Sequence, residues 1–358
     1  MKKRARRWLT LALTAAVLVL VVYNLTRGSE WRHFDWKRLW ATLLSARHDY
    51  LLAAVAATLS SYVARAYRWR YFMDPFKKAS LWTLFVAQVY GFSSIYLIGR
   101  PGEFVRPAYI ARKENVPISS MVAIWVLERV YDTVFMILIF ALALGFAPLH
   151  LTGPHGQVML HELHRGSLLL TLLMLLAIAV LVVIRLRSDA LAGLMRNRGH
   201  FLPARVRRSM KSIFYSFAEG LDVIRNWKDL GASLLTSAVV WIVNISMVWF
   251  GFRSLGGRLG ELTWMSAALV LFCAAMGLFI QLPGVGGGYQ VGVIVALHRI
   301  FAIPREPATG VAILLWIAML VPCLTLGLLL LAYEGLSFKK LGAIAQEEER
   351  RAAMHQKV

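Results

Sequence analysis

Nine apolar stretches, at about residues 8–23, 50–66, 81–98, 118–147, 167–186, 230–252, 263–282, 286–300 and 308–333, decide what this chain can fold into. A membrane helix needs about 20 consecutive apolar residues. In hydrocarbon, every backbone polar group must be satisfied inside the protein. Together these conditions predict an all-α fold, a polytopic integral membrane helix bundle. Composition agrees, with 58% hydrophobic and 16% charged residues, whereas a soluble domain carries about 25% charged residues. The chain reads as a single transmembrane domain, 1–335, followed by a basic cytoplasmic tail, 336–358.

The net charge of +21 would suggest nucleic acid on a soluble protein. No aromatic-basic platform or DNA-binding motif accompanies it, so nucleic acid is excluded as a partner. The basic residues sit mostly in short loops beside apolar segments, the positive-inside pattern of cytoplasmic loops. There they suit anionic lipid headgroups. The N-terminal run Met1 to Arg7 precedes the apolar stretch Trp8 to Tyr23 with no small-residue cleavage site after it. It reads as an uncleaved anchor helix whose N-terminus is cytoplasmic.

Loop charge threads the rest. Residues 64–78 hold Arg65, Arg68, Arg70, Lys77 and Lys78, residues 185–228 hold ten Lys/Arg, and the tail holds Lys339, Lys340, Arg350 and Arg351. All three belong inside. Residues 148–166 contain a single Arg165 and belong outside. Six full spans then fall at about 8–23, 50–66, 118–147, 167–186, 230–252 and 308–333. Two stretches, 81–114 and 262–306, start and end on the same side, so each is expected to be a re-entrant hairpin. Each breaks in its middle, at Gly99-Arg100-Pro101-Gly102-Glu103 and at Leu282-Pro283-Gly284-Val285-Gly286-Gly287-Gly288. Pro removes a backbone donor and Gly lets the chain turn. Span, hairpin, span occurs twice in opposite orientation, which predicts an inverted-topology repeat of the kind many transporters use. Residues 36–46 suggest an outer interfacial helix, and 187–228, chiefly 204–227, a cytoplasmic amphipathic segment.

Ionisable groups at membrane depth cost at least about 2.5–3.5 kcal/mol each and are usually paired or functional. They concentrate at Arg100, Glu103 and Arg106 in the first hairpin and at Glu128, Arg129 and Asp132 in the following span. Three bases and three acids can pair to near neutrality. Glu128 and Asp132, four apart, share one helix face. Arginine forks match phosphate bidentately, so a phosphate headgroup can exchange with a carboxylate as their partner. The same residues could equally form a structural ion-pair clamp. The second break offers backbone donors around Pro283, Gly284, Gly286, Gly287, Gly288 and Gln290 as an anion nest, or simply a tight helix crossing.

Other chemistry is absent from the sequence. Cys273 and Cys323 offer neither a disulfide framework nor metal spacing. Among His150, His155, His161 and His164 only the last two share a helical spacing, so no metal is expected. No Walker A motif, nucleophile elbow or zinc-protease motif occurs, so no cofactor is expected either.

The run Gly99 to Pro107, then Arg112 to Ser120, then Leu127-Glu-Arg-Val-Tyr-Asp132, resembles the first signature of a known family. Leu282 to Gln290 with Ala308 to Gly335 resembles its second, and Arg68-Trp69 also fits. The family is the flippase-like transmembrane domain of lysylphosphatidylglycerol synthases, including its stand-alone members. The resemblance implies a multi-pass plasma (inner) membrane protein, both termini cytoplasmic, acting on a phospholipid or polyprenyl lipid. About 25 residues follow the last span, so the soluble aminoacyl-transferase domain of the synthases, and with it enzyme activity, is not expected. Gln290 stands where many members have Glu. The expected function is a lipid translocator moving a phosphate-bearing headgroup through a charged cleft. Alternatives are a small-solute or ion-coupled transporter and a non-transporting subunit of a lipid-modifying enzyme; no protein partner can be named.

Overall fold

The computed structural model describes residues 34–74, 77–148, scattered positions within 161–176, and residues 227–278, 281–282 and 286–335. The predicted helix at 8–23, most of 167–186, nearly all of 204–227 and the tail lie outside the described residues. Helix α1 is Trp36–Leu44, α2 His48–Met73 and α3 Leu81–Ile98. A 3-10 turn, Arg100–Phe104, leads into α4, Val105–Glu114, and then α5, Ile118–Phe146. Helix α6 is Trp227–Leu255, α7 Gly257–Gly260 and α8 Trp264–Gly277. A two-residue antiparallel pairing, Gln281–Leu282 with Gly286–Gly287, precedes α9, Gly288–Val295. One π turn, Ala296–Ile300, then leads to α10, Arg305–Glu334.

The protein is a polytopic helical membrane protein. Among the described residues, four helices are long and apolar enough to cross a bilayer: Leu81–Ile98, Ile118–Phe146, Gly231–Leu255 and Arg305–Glu334. Helix α2 has the length, 26 residues, but its polar and charged side chains lower its hydropathy. Apolar side chains remain exposed along the bundle's flank, among them Ile317, Val321 and Leu328 on α10. A surface of that kind is a liability in water and ordinary against lipid tails.

Both breaks fold the chain back on itself. Gly99 takes φ +76°, a left-handed conformation open to glycine at little cost. A Cβ on Gly102 would strike the backbone of Ser94 and Ile95, and one on Gly91 would lie 3.0 Å from the Arg106 side chain. Helix α4 therefore returns antiparallel along α3, with Tyr90 and Tyr109 edge to face at 5.1 Å. In the second hairpin, a Cβ on Gly277 would meet the Gly288 carbonyl, and one on Gly292 the Cys273 carbonyl. Helix α9 returns along α8 at the same close range. Gly277 and Gly292 thus serve close backbone approach on either side of the break, whereas Gly287, at φ +81°, has nothing within 4 Å of an added Cβ; Pro283 and Gly284 lie outside the described residues.

The packing has internal symmetry. Exchanging α2 with α6, α3 with α8, α4 with α9 and α5 with α10 maps each packed pair of these helices onto another packed pair. Thus α3 packs on α10 as α8 packs on α5, and α2 and α6 form the central pair. Arg47 N–H donates to the Ser254 carbonyl at 2.8 Å, while Arg68 reaches Ser237 at 3.5 Å. Those contacts set α2 and α6 antiparallel. Equivalent helices running antiparallel is the geometry of an inverted repeat.

Helix α1 lies against α10, where Leu39 and Thr42 flank Gly310. Its N-cap Asp35 accepts from the backbone N–H groups of Lys37 and Arg38 at 2.9 and 3.1 Å, the usual Asp cap. Trp36, Trp40 and Leu44, spaced four apart, are exposed on its outer face, as expected of the helix read at 36–46.

Candidate functional site

The site is built from residues of α2, α3, α4 and α5, with Arg106 in the first turn of α4 and Arg68 near the C-terminal end of α2. Glu128 on α5 has no exposed side-chain surface, so its charge needs partners within the protein. Arg68 Nη2 donates to it at 2.5 Å. Arg106 on α4 donates from both terminal nitrogens, Nη1 at 3.3 Å and Nη2 closer still. One turn further along α5, Asp132 accepts from Arg68 Nη1 at 2.7 Å. Arg68 thus bridges the two carboxylates that the i, i+4 spacing aligned.

Two further guanidiniums stand at the edge of this core with longer contacts. Arg65 Nη1 is 3.7 Å from Glu128 and 3.7 Å from Asp132. Arg129 Nη2 lies 3.3 Å from Glu128 and 3.4 Å from Asp132, with 42% of its side chain exposed. Aromatic rings back the cations: Arg106 lies over Trp69 at 4.8 Å and Arg65 over Phe92 at 5.4 Å, within cation–π range.

A cavity of about 480 Å³ opens beside the cluster. Its lining includes Arg65, Arg106, Arg129, Asp132 and Glu103 together with Met136, Met247, Met276 and Met319. Residues of both hairpins border it, Tyr96 and Glu103 from the first and Leu278 and Tyr289 from the second. The cavity therefore lies between the two repeats, where broken-helix transporters place their sites. Arg68 and Glu128 are not on its wall. Arg68 and Glu128 thus lie behind the wall, Arg106 and Asp132 are held closely by them at its surface, and Arg65 and Arg129 line it with longer contacts.

Several sequence expectations are corrected here. Arg65 and Arg68 are not in a cytoplasmic loop: α2 continues to Met73, and Arg68, wholly buried, and Arg65, mostly so, lie among the charges of α5. Hydropathy ended the span at 66 because those arginines are polar. The spacing Thr58, Ser61, Arg65, Arg68 was the available signal, since it marks one face of a continuing helix. The expected balance of three acids and three bases also changes. Around Glu128 and Asp132 the structure gathers four guanidiniums, Arg65, Arg68, Arg106 and Arg129. Counting Glu103 on the cavity wall, one positive charge remains in excess. The side chain of Arg100 lies outside the described residues. Gln290 is half-buried on α9, and its neighbour Tyr289 is the one that lines the cavity. Gln88, unmarked in the sequence, is wholly buried and accepts from Arg106 Nη1 at 2.6 Å through its carbonyl oxygen.

Comparison with known proteins adds a lineage to this geometry. The model of the family described as the lysylphosphatidylglycerol synthase TM region matches residues 7–327. A curated UPF0104 membrane protein from Pyrococcus horikoshii is 25% identical over 316 residues, covering 81% of this chain and 88% of that protein.

Proposed function

From the premise that this chain belongs to the lysylphosphatidylglycerol synthase transmembrane-region family, we propose that it moves a phosphate-bearing lipid between the two leaflets. One observation carries the reading: the wall of a single cavity carries Arg65, Arg106 and Arg129 against Glu103 and Asp132, a net positive charge, together with four methionines. A site for a small polar solute has no use for such a wall. An amphiphile needs both, and unbranched thioether side chains adapt to the irregular shape of a hydrocarbon tail.

The two classes of ion pair suggest a division of labour. Arg68 and Glu128, tight and dry, hold α2 to α5. Arg65 and Arg129, at 3.3 to 3.7 Å from their carboxylates, sit on or beside the cavity wall and can exchange Asp132 for a phosphate. Arginine favours that exchange because its donor fork fits either anion. Asp132 and Glu103 then act as the returning partners that release the headgroup. The pseudo-symmetric hairpins provide the two elements that rock past one another around a site between them.

Reconstitution in proteoliposomes with a fluorescent anionic phospholipid tests this. Wild-type protein should equilibrate the label between leaflets, and Arg129→Ala and Glu103→Gln, if folded, should slow it at least tenfold. No translocation of any phosphate-bearing lipid by well-folded wild-type protein would sink the proposal.

A further inference from the structure

The two halves of α10 belong to different neighbours. Toward its N-terminus, Gly310 sits against Leu39 and Thr42 of α1, and a Cβ on Gly251 of α6 would strike Leu315. Beyond Pro322 the polar contacts turn to the first hairpin. The Ser93 hydroxyl on α3 donates to the Cys323 carbonyl at 3.1 Å, and a Cβ on Gly327 would lie 2.4 Å from that same hydroxyl. At the helix end, Glu334 accepts from Tyr90 of α3 and from Tyr109 and Lys113 of α4. Tyr62 of α2 reaches the Cys323 sulfur at the divide itself.

Pro322 stands at that divide. It carries no N–H, so it offers the Ala318 carbonyl no helical partner, and its ring crowds that carbonyl. The next residue, Cys323, shares its carbonyl with Ser93. A proline and a side chain inserted into the hydrogen-bond ladder are the usual causes of a helix bend, and here they fall on consecutive residues. Helix α5, which takes the place of α10 in the other repeat, has no proline between Ile118 and Phe146. The weak point therefore belongs to one repeat alone.

The first hairpin is held differently at its two ends. Near its turn, Arg106 binds Glu128 of α5, and Tyr96 meets Trp316 edge to face at 5.2 Å, on the N-terminal side of Pro322. At its open end, the contacts with Glu334 tie it to the far half of α10. Arg106 lines the cavity from the hairpin, and Trp316 and Met319 line it from α10 just before Pro322. A body pinned at one end, and joined at the other to a half-helix beyond a proline, can swing about the pinned end. Resting on the translocator reading above, we propose that the first hairpin and residues 323–334 of α10 move together as one gate, pivoting at Pro322 and the Arg106–Glu128 pair, that opens the cavity on the side of Glu334. The Glu334 contacts are then a rivet within the gate, because they join two parts that move as one.

The experiment uses the full chain in lipid nanodiscs, with Cys273 and Cys323 replaced by alanine. Spin labels are attached in pairs through Leu329→Cys on α10, Trp82→Cys on α3 and Leu235→Cys on α6, all exposed positions. Double electron–electron resonance should give one narrow distance between 329 and 82, and two distances between 329 and 235, one for each gate position. Pro322→Ala, which restores the missing N–H, should leave the first pair unchanged and collapse the second to a single distance. In proteoliposomes the same variant should slow lipid translocation severalfold, with a melting temperature no lower than wild type. A single narrow 329–235 distance in wild type, a 329–82 distance as variable as the other, or unimpaired translocation by Pro322→Ala overturns the gate. Gate motion as expected in a protein that translocates no lipid overturns the translocator reading and leaves the gate standing.

Discussion

Arg68 donates to Glu128 at 2.5 Å with neither side chain exposed, and this pair joins α2 to α5 at the heart of the bundle. Removing one member leaves a charge with no water to receive it. Arg68→Ala should destabilise the protein by about 3–5 kcal/mol, the usual result of breaking a buried pair. Thermal unfolding in detergent measures it. A melting temperature close to wild type would mean that the remaining guanidiniums already satisfy Glu128.

Arg129 should behave differently, because it is partly exposed and its contacts are long. Arg129→Ala should leave thermal stability nearly intact, since exposed ion pairs contribute about 0–1 kcal/mol. It should weaken phosphatidic acid binding roughly tenfold, in line with a charge-assisted hydrogen bond of about 1.5–3 kcal/mol. Melting and titration of one preparation separate the two effects. A large loss of stability with unchanged binding would make Arg129 part of the clamp.

Glycine positions offer a contrast in one residue type. At Gly102 an added Cβ meets the backbone of Ser94 and Ile95, whereas at Gly145 nothing lies within 4 Å. Gly102→Ala should open the first hairpin and sharply lower the yield of folded protein. Gly145→Ala should be neutral or stabilising by about 0.5–1 kcal/mol, because alanine loses less backbone freedom in a helix. Size-exclusion profiles and melts of the two variants decide it.

The end of α10 is tied to the first hairpin by a second polar knot. Glu334 accepts from Tyr90 at 3.1 Å, Tyr109 at 2.8 Å and Lys113 at 2.9 Å. Tyr90→Phe and Tyr109→Phe each remove one neutral donor and should cost about 0.5–1.5 kcal/mol. Glu334→Ala strands all three donors and should cost more than either. Additive, near-zero effects would show that the knot is too wet to contribute.

Orientation can be checked directly. From loop charge we expect Lys78 inside and Gly260 outside. In a background lacking Cys273 and Cys323, Lys78→Cys should resist an impermeant maleimide in intact cells and Gly260→Cys should label. Labelling of both from outside would refute the re-entrant reading of 81–114.

Much of this architecture is legible in the chain itself. Long apolar runs must become helices, because hydrocarbon tolerates no unpaired backbone. Gly99, Pro101 and Gly102 break the first hairpin for local reasons that any alignment-free reading can see. Glu128 and Asp132 share a face by helical period alone. Which cations meet those carboxylates was another matter. Arg65 and Arg68 read as loop charges, because hydropathy measures a residue's cost in lipid and is blind to a partner 60 or so positions away in the chain. Gln88, Trp241 and Tyr289 carry no sequence mark, since an amide, an indole and a phenol occur on helices everywhere. Only the packing of α3, α6 and α9 around one cavity brings them together. Periodicity and solvent set the helices; long-range contact, which no local pattern encodes, set the charges and the cavity between them.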